Sequence, residues 1–280
     1  MTVEPATQAG RAALAAITEQ PRRCLAAFDY DGTLAPIVAD PAEAVPADGI
    51  MAALGDLGRR VGRLAVVTGR PPAAVLGLAK PGGVPGLERL LVLGQYGLQR
   101  WDATTGQCTS PPPDPGLARV RAELPRLLAG LGLGAAHVED KGLAIAVHTR
   151  RLPEPERAFE RLVGPLGSLA ERGGLVLEPG RVVLELRPPG MDKGAALRGL
   201  VGETQPGSVL YAGDDLGDLP AYDEVGRLRT EGVPGLLVCS ASAEVGALAP
   251  RADLIVQGPD GVRDVLHDLV RLIDAASVAE

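Results

Sequence analysis

Apolar runs of strand type alternate with segments of helical spacing in the first hundred residues. The runs 24–28, 63–67 and 90–93 consist almost entirely of apolar residues, as strands buried on both faces do. Helices predicted at 47–60 and 71–79 lie between these runs. This alternation of strand and helix is typical of a parallel sheet with crossover helices.

The pattern changes between about 105 and 188. A Pro-rich stretch at 111–115 is followed by helices predicted at 116–129 and 154–171 and by several short strands. From residue 192 the alternation of strand and helix resumes. The sequence therefore predicts an α/β fold in which an α+β insert interrupts a parallel-sheet core.

The predicted core comprises residues 1–105 and 189–280, and the predicted insert comprises residues 106–188. A chain of 280 residues with 46% hydrophobic residues is long and apolar enough to form both. Because only 2% of the residues are aromatic, the interior must consist mainly of Leu, Val, Ala and Ile.

Charge and cysteine content argue against several classes of protein. The net charge is −7 and there is no basic run, which argues against a nucleic-acid partner. No apolar run is long enough to span a bilayer. The three cysteines are scattered, and the first residues lack the pattern of a signal peptide. We therefore expect a cytoplasmic protein that binds neither nucleic acid nor membrane.

Two carboxylates, Asp29 and Asp31, directly follow the first apolar run. At a strand end, residues two apart point the same way, so both side chains would enter one small space. Two such carboxylates repel and usually share a proton or a cation. Gly32 follows at once, however, and an Asp-Gly pair is also typical of an ordinary turn. The pair alone does not distinguish a turn from a catalytic site.

Further polar residues follow other predicted strands. Thr68 ends the second run, Lys193 begins a helix, and Asp214 follows the strand near 210. In open parallel sheets, ligands bind outside the carboxyl ends of the strands. Each residue alone has a structural interpretation, as a helix cap, a solvated helix start or a turn. Together they suit phosphoryl transfer, in which a carboxylate attacks phosphorus and a lysine and a hydroxyl hold the transferring oxygens.

The order of these strings resembles the four motifs of the haloacid dehalogenase-like phosphatases. The strings are Asp29-Tyr30-Asp31-Gly32-Thr33, Val66-Val67-Thr68-Gly69-Arg70, Asp192-Lys193-Gly194 and Gly213-Asp214-Asp215. The resemblance implies a Rossmann-like core, with Asp29 as nucleophile, Asp31 as general acid and base, and Thr68 and Lys193 as phosphate holders. It also implies Mg²⁺ as cofactor, bound by Asp29, Asp31, Asp214 and Asp215.

Within that superfamily, the chain resembles the trehalose-6-phosphate phosphatase family. The strings that carry the resemblance are 31–37, 139–141 leading to 148–150, and 181–185 leading to Arg187-Pro188. The resemblance implies that the insert is a mobile cap whose charged side chains grip the sugar. The substrate-binding residues so implied are Gly69, Arg70, Gln95, Tyr96, Gly97, Glu139, Lys141, Arg150, Arg181 and Glu185.

Three departures from the family pattern concern the substrate rather than the chemistry. The chain has Gln95-Tyr96-Gly97 where the family has an Asn-His-Gly string, and Leu216-Gly217 where a Thr follows Gly-Asp-Asp. Arg181 replaces a cap lysine. We therefore predict hydrolysis of trehalose 6-phosphate, with a sucrose-type or glucosylglycerol-type phosphate as the alternative substrate.

A non-catalytic sugar-phosphate sensor is the alternative from another class. The resemblance makes the synthase that forms the sugar phosphate a candidate partner. We expect the chain to be a monomer.

Overall fold

The computed structural model of the protein describes residues 3–180, 182–241 and 245–278. The chain divides into two compact units, one formed by Met1–Ser110 with Asp192–Glu280 and the other by Pro111–Met191. Residues 107–109, which the sequence analysis assigns to the insert, form a strand of the larger unit's sheet. It stays a prediction that the larger unit carries out catalysis and that the insert determines substrate specificity. In the described ranges, every helix is too short or too polar to cross a membrane.

The strands form two separate sheets. Among the described residues, the strands are β1 (Cys24–Phe28), β2 (Arg63–Val67), β3 (Leu91–Gly94), β4 (Gln99–Asp102), β5 (Gln107–Thr109), β6 (His137–Asp140), β7 (Ile145–His148), β8 (Val176–Gly180), β9 (Val183–Arg187), β10 (Ser208–Gly213), β11 (Gly235–Ser240) and β12 (Leu254–Val256).

The α-helices lie between these strands along the chain. Among the described residues, they are α1 (Gln8–Glu19), α2 (Ile50–Gly58), α3 (Pro72–Ala79), α4 (Pro115–Gly130), α5 (Pro155–Arg172), α6 (Lys193–Thr204), α7 (Leu219–Thr230), α8 (Val245–Leu248) and α9 (Gly258–Val278).

The sheet of the larger unit has the strand order β12-β11-β10-β1-β2-β3-β4-β5. Strands β12 to β3 in this order are parallel, and the β4–β5 hairpin adds two antiparallel strands at one edge. Residues of β1 alternate between the two faces. Ala26 and Phe28 pack in the cluster that includes α1, α2 and α9, whereas Leu25 and Ala27 pack in the cluster of α6 and α7. Burial on both faces explains why this strand is a continuous apolar run.

The register of the central strands determines where the polar residues lie. Phe28 of β1 pairs with Ala212 of β10 and with Val66 of β2. The residues that follow these three positions therefore come together at one edge of the sheet. That edge is the carboxyl end of the parallel strands, where this class of sheet binds ligands.

The insert unit contains a four-stranded antiparallel sheet with the order β6-β7-β9-β8. One face packs on α4 and α5 through an aliphatic cluster that includes Leu124, Val147, Leu162 and Leu184. The other face carries charged side chains, as half-solvated antiparallel sheets do. The predicted fold class, a parallel-sheet α/β core with an inserted α+β segment, is confirmed.

Candidate active site

Asp29 and Lys193 form a buried ion pair at the carboxyl end of β1. Asp29 is 3% exposed, and its N–H donates to the carbonyl of Ala212 at 2.9 Å, which extends the strand pairing by one residue. Lys193 is the first residue of α6, and its Nζ lies 2.8 Å from Asp29 Oδ1. The helix begins there because the Asp192 carboxylate accepts the N–H of Ala195 at 2.7 Å. A capped helix start thus brings a cation to the strand end.

Asp218, which is fully buried, accepts hydrogen bonds from several groups around the Asp29–Lys193 pair. Its Oδ1 accepts from Lys193 Nζ at 2.8 Å and from the Tyr211 hydroxyl at 2.7 Å. Its Oδ2 accepts the N–H groups of Asp214 and Asp215 at 3.0 and 3.2 Å. Both carboxylate oxygens are therefore used in holding other residues in place.

The role of Tyr211 was missed by the sequence analysis. The residue is fully buried in β10, and burial raises the pKa of its hydroxyl well above the usual value, so it remains a donor to Asp218. The available signal was a tyrosine inside an otherwise aliphatic strand, since a buried tyrosine hydroxyl usually has a hydrogen-bond partner.

Three carboxylates are close enough to share one cation. Asp29, Asp214 and Asp218 each offer an oxygen, and these oxygens lie within 4.8 Å of one another. Burial raises the pKa of Asp29 well above its usual value, against the lowering effect of Lys193. Burial, together with Asp215 and Asp218, also raises the pKa of Asp214, to about 8. Negative charge is therefore in excess here, and a proton or a cation relieves it.

The donor set suits magnesium, which prefers hard oxygen ligands. Because Asp218 already accepts four hydrogen bonds, Asp29 and Asp214 are the two side chains of the cluster that fit as ligands. Asp31 and Asp215, also predicted as metal ligands, are not members of this described cluster. Asp215 instead accepts the N–H of Gly217 at 2.9 Å. The metal-binding roles of Asp31 and Asp215 stay predictions.

Gly32 makes the close approach of Asp214 to the first loop possible. Its φ is +76°, a conformation that side chains disfavour, and a Cβ there would overlap the Asp214 carboxylate. The turn is held by Gly32 N–H donating to Ala35 at 2.7 Å and by the Ser240 hydroxyl donating to the Gly32 carbonyl at 2.6 Å. The Asp-Gly turn and the acidic cluster are therefore one feature, not alternatives.

Asp31 is held by a bidentate ion pair with Arg70. Arg70 Nε lies 2.6 Å from Oδ2, and Nη2 lies 2.7 Å from Oδ1. Arg70 also donates to the carbonyl of Pro41 at 2.7 Å, and its guanidinium carbon lies 5.6 Å from the centre of the Tyr30 ring. Arg70, which is predicted to bind substrate, is thus bonded to Asp31, the predicted general acid and base.

Thr68 is buried after β2, and its hydroxyl oxygen accepts the N–H of Arg70 at 3.1 Å. The following loop, Gln95–Gly97, is bonded to this segment, because Tyr96 N–H donates to the Thr68 carbonyl and Gln95 N–H to the Arg70 carbonyl, both at 3.0 Å. Gln95, Tyr96 and Gly97 all have positive φ, an uncommon conformation for the first two.

Gly69 allows this loop to approach. A Cβ on Gly69 would lie 2.9 Å from the Tyr96 hydroxyl oxygen. The structure therefore brings the predicted residues Thr68, Gly69 and 95–97 into one contiguous part of the larger unit.

In the insert unit, the strand register brings several predicted residues to one face. Glu139 lies opposite Ala146, which lies opposite Glu185, so the two acids share that face. Lys141 forms an ion pair with the buried Glu185. Glu139 is bonded to His148 at 3.0 Å, and this bond, with nearby Lys141, holds the pKa of the Glu139 carboxyl below its usual value despite burial.

One predicted insert residue does not join this set, and another is not described. Arg150 is exposed in the turn after β7, and Arg181 lies outside the described residues. Conversely, Glu178 lies opposite Glu185 and is bonded to Arg187 at 2.7 Å, although the motifs in the sequence assign it no substrate-binding role. Charged residues at alternate positions of two adjacent predicted strands point to one face of the sheet, and this pattern could have indicated Glu178.

Comparison with known proteins agrees with the family resemblance inferred from the sequence motifs. A model of the trehalose-phosphatase family matches residues 27–254. The trehalose-6-phosphate phosphatase of Escherichia coli (strain K12) is 30% identical over 204 residues, which cover 72% of this chain and 73% of that protein. The trehalose-phosphate phosphatase of Mycobacterium marinum is 33% identical over 208 residues, which cover 71% of this chain but 50% of that protein.

A solved structure gives the same result for the fold. The C-terminal domain of the trehalose-6-phosphate phosphatase of C. albicans superposes with a TM-score of 0.74 at 21% identity. The match covers 96% of this chain and 99% of that one. With a family model spanning most of the chain, the resemblance to the trehalose-6-phosphate phosphatase family is confirmed: the chain belongs to the trehalose-phosphatase family.

Proposed function

We propose that the protein is a magnesium-dependent phosphatase that hydrolyses trehalose 6-phosphate to trehalose and phosphate through an aspartyl-phosphate intermediate. The observation that carries the proposal is the buried cluster of Asp29, Lys193 and Asp214 at the carboxyl end of the sheet, in a chain of the trehalose-phosphatase family.

Asp29 is the residue we assign as nucleophile. An oxygen of its carboxylate forms a bond to phosphorus as the bond from phosphorus to the sugar oxygen breaks. Only the ionised carboxylate can attack, yet burial raises the pKa of Asp29 even beside Lys193. Magnesium bound by Asp29 and Asp214 would favour ionised Asp29 and offset the negative charge of the phosphate.

Asp31 is the residue we assign to proton transfer. It would donate a proton to the departing sugar oxygen and then accept one from the water that attacks the aspartyl phosphate. The bidentate bond from Arg70 gives the Asp31 carboxylate a defined orientation.

Lys193 and Thr68 would hold the oxygens of the transferring phosphoryl group. Burial opposes the charge of Lys193, but Asp218, Asp29 and Asp215 raise the pKa of its ammonium well above the usual value, so the group stays charged. Thr68 accepts a backbone N–H, which leaves its O–H to donate to the substrate. A fixed cation and a fixed donor stabilise the transition state without reorganisation.

The charged face of the insert sheet is the part to which we assign sugar recognition. Charged groups form strong, directional bonds to hydroxyls, and Glu139, Lys141 and Glu185 share that face. Arg150 and Arg181 remain predicted contributors. Glu139→Gln is expected to raise the KM for the sugar phosphate more than it lowers kcat.

The test is phosphate release from trehalose 6-phosphate, sucrose 6-phosphate and a glucosylglycerol phosphate, with magnesium and with EDTA. We expect the highest kcat/KM for trehalose 6-phosphate and loss of turnover in EDTA. Asp29→Asn should abolish turnover while leaving the circular dichroism spectrum unchanged. Full activity in EDTA would refute the metal dependence, and near-normal activity of Asp29→Asn would refute the nucleophile.

A different sugar phosphate is the second candidate substrate. The observation that favours it is the Gln95-Tyr96-Gly97 loop, which departs from the family string and adopts positive φ beside Thr68. A higher kcat/KM for one of the other two sugar phosphates would establish it. Thermal stabilisation by trehalose 6-phosphate without any turnover would instead indicate a sensor. A synthase partner and a monomeric state remain predictions of the family resemblance.

A further inference from the structure

A second concave site lies at the opposite edge of the larger unit's sheet. It is a cleft of about 370 Å³ at the amino ends of β1 and β2, next to the C-terminal end of α6. The strand path from Cys24 to Asp29 takes five steps of about 3.3 Å, so the cleft lies ~16 Å from the candidate active site. It is therefore a separate site and does not depend on the proposed reaction.

The cleft is lined by four arginines, Arg22, Arg23, Arg63 and Arg89. Within the described part of the chain, none of the four forms an ion pair, although most of the other arginines do. Glu203, the one acidic lining residue, is already paired with Arg100 at 2.6 Å. The chain has a net charge of −7, so a local excess of positive charge contrasts with the negative charge of the whole chain.

Carboxylates near the cleft do not cancel this charge. Asp102 interacts with Arg63 at longer range, but its carboxylate accepts hydrogen bonds from the hydroxyl and N–H of Thr104, which are the main cause of its lowered pKa. Arg63 donates to the carbonyl of Arg89 at 3.3 Å, a long bond to a neutral acceptor. Four positively charged residues therefore line one cleft, and a bound anion would offset their charge.

The backbone that carries these arginines is held firmly. Gly207 N–H donates to the carbonyl of Arg23 at 2.8 Å, and Gly62 N–H donates to the carbonyl of Cys24 at 3.1 Å. A Cβ on Gly207 would lie 3.1 Å from Arg23 Nε, so the absence of a side chain there makes room for the guanidinium. A fixed backbone reduces the entropy that binding an anion would cost.

The chemistry of the lining selects the class of ligand. Guanidinium groups bind phosphate through paired hydrogen bonds, and four of them exceed what one phosphate group needs. A cleft of about 370 Å³ is also larger than one phosphate group fills. We propose that this cleft binds a small anion that carries two or more phosphate groups.

The arginines could instead act only on stability, by offsetting the negative end of the α6 dipole near Thr204. The two roles predict different results. An anion site loses affinity when the arginines are replaced. A purely structural role changes the unfolding midpoint and leaves anion binding unchanged.

The experiment is isothermal titration calorimetry of the whole chain in EDTA, with inorganic pyrophosphate as the probe. We expect one site, binding that weakens at least tenfold in the double variant Arg22→Gln/Arg63→Gln, and further weakening as NaCl rises from 50 to 200 mM. Orthophosphate should bind at least tenfold more weakly than pyrophosphate. ADP, which carries the same diphosphate, shows whether a nucleoside adds affinity.

Arg126→Gln is the matched control, because Arg126 is exposed and forms no ion pair with a described residue. It should change pyrophosphate affinity less than twofold. Gln205→Glu serves if the double variant does not fold, since it is an isosteric change at an exposed lining residue and adds a competing carboxylate. Pyrophosphate binding that is absent, or that is equal in the wild type, the double variant and Gln205→Glu, would overturn the proposal.

Discussion

Replacing Tyr211 by Phe tests whether the buried network behind Lys193 sets the stability of the candidate site. The substitution removes one O–H and leaves the ring, which packs edge-on against Tyr222 with centroids 6.2 Å apart. The lost hydrogen bond is the 2.7 Å donation to Asp218 Oδ1, and the residue is fully buried. The carboxylate would then keep Lys193 as its partner on that oxygen.

The expected cost follows from the charge of the acceptor. A hydrogen bond to a charged group contributes about 1.5–3 kcal/mol, whereas one between neutral groups contributes about 0.5–1.5 kcal/mol. Tyr222→Phe is the matched control, since Tyr222 is equally buried and donates to the neutral carbonyl of Val238 at 2.9 Å. We therefore expect Tyr211→Phe to lower the free energy of unfolding by ~1 kcal/mol more than Tyr222→Phe does.

The single tryptophan of the chain, Trp101, lies in β4 of the larger unit, so its fluorescence in urea follows the unit that contains both tyrosines. Turnover should fall in Tyr211→Phe, through kcat rather than KM, and remain close to wild type in Tyr222→Phe. Equal losses of stability with unchanged kcat in both variants would show that Asp218 does not need Tyr211, and the reasoning from the network would be wrong.

Three further predictions concern the residues around this network. Gly32→Ala should lower kcat/KM by about 100-fold and weaken stabilisation by magnesium, because the new Cβ displaces Asp214; an unchanged magnesium-dependent shift of the unfolding midpoint would contradict this. Arg70→Lys removes the bidentate bond to Asp31 and should lower kcat by about 10- to 100-fold in steady-state assays; a raised KM with unchanged kcat would instead support the substrate-binding role predicted from the sequence. Because the folded pKa of Asp214 is raised to about 8, its contribution to stability is present at low pH and lost as pH rises through the folded pKa. In EDTA, the free energy of unfolding in urea should therefore fall between about pH 4 and 8, with a slope of up to ~1.4 kcal/mol per pH unit from this group, and magnesium should stabilise more at pH 8 than at pH 6. A metal-free slope that is the same in Asp214→Asn would refute the assignment.

The sequence predicts the core of the fold because its strands are buried on both faces. The apolar runs at 24–28 and 63–67 correspond to β1 and β2, since strands between two layers of helices are mostly apolar on both faces. The β4–β5 hairpin shows no such run, because its strands Gln99–Asp102 and Gln107–Thr109 are polar, lie at one edge of the sheet and are partly exposed. The pairing of β4 with β3 and of β5 with β4 depends on backbone hydrogen bonds, which leave no hydrophobic pattern in the sequence.

The residues of the candidate site were predictable, but their partners were not. Residue type and position after a strand indicate which side chains reach the carboxyl edge, and this suffices for Asp29, Lys193 and Asp214. Which carboxylate meets which cation is decided by how the loops after the strands pack in the tertiary structure. Sequence spacing therefore does not show that Arg70 binds Asp31 or that Asp218 holds Lys193.

The tyrosines carried more information than their number suggests. The chain has four tyrosines, and three of them, Tyr30, Tyr211 and Tyr222, are buried among aliphatic residues, where each hydroxyl must be satisfied. Tyr30 donates to the carbonyl of Ala44 at 2.9 Å behind the first motif, and Tyr211 donates to Asp218. The Tyr96 hydroxyl lies against Gly69 of the second motif. In an aromatic-poor chain, a buried tyrosine near a motif is therefore evidence for a polar partner there, and the sequence alone could have directed attention to Tyr211.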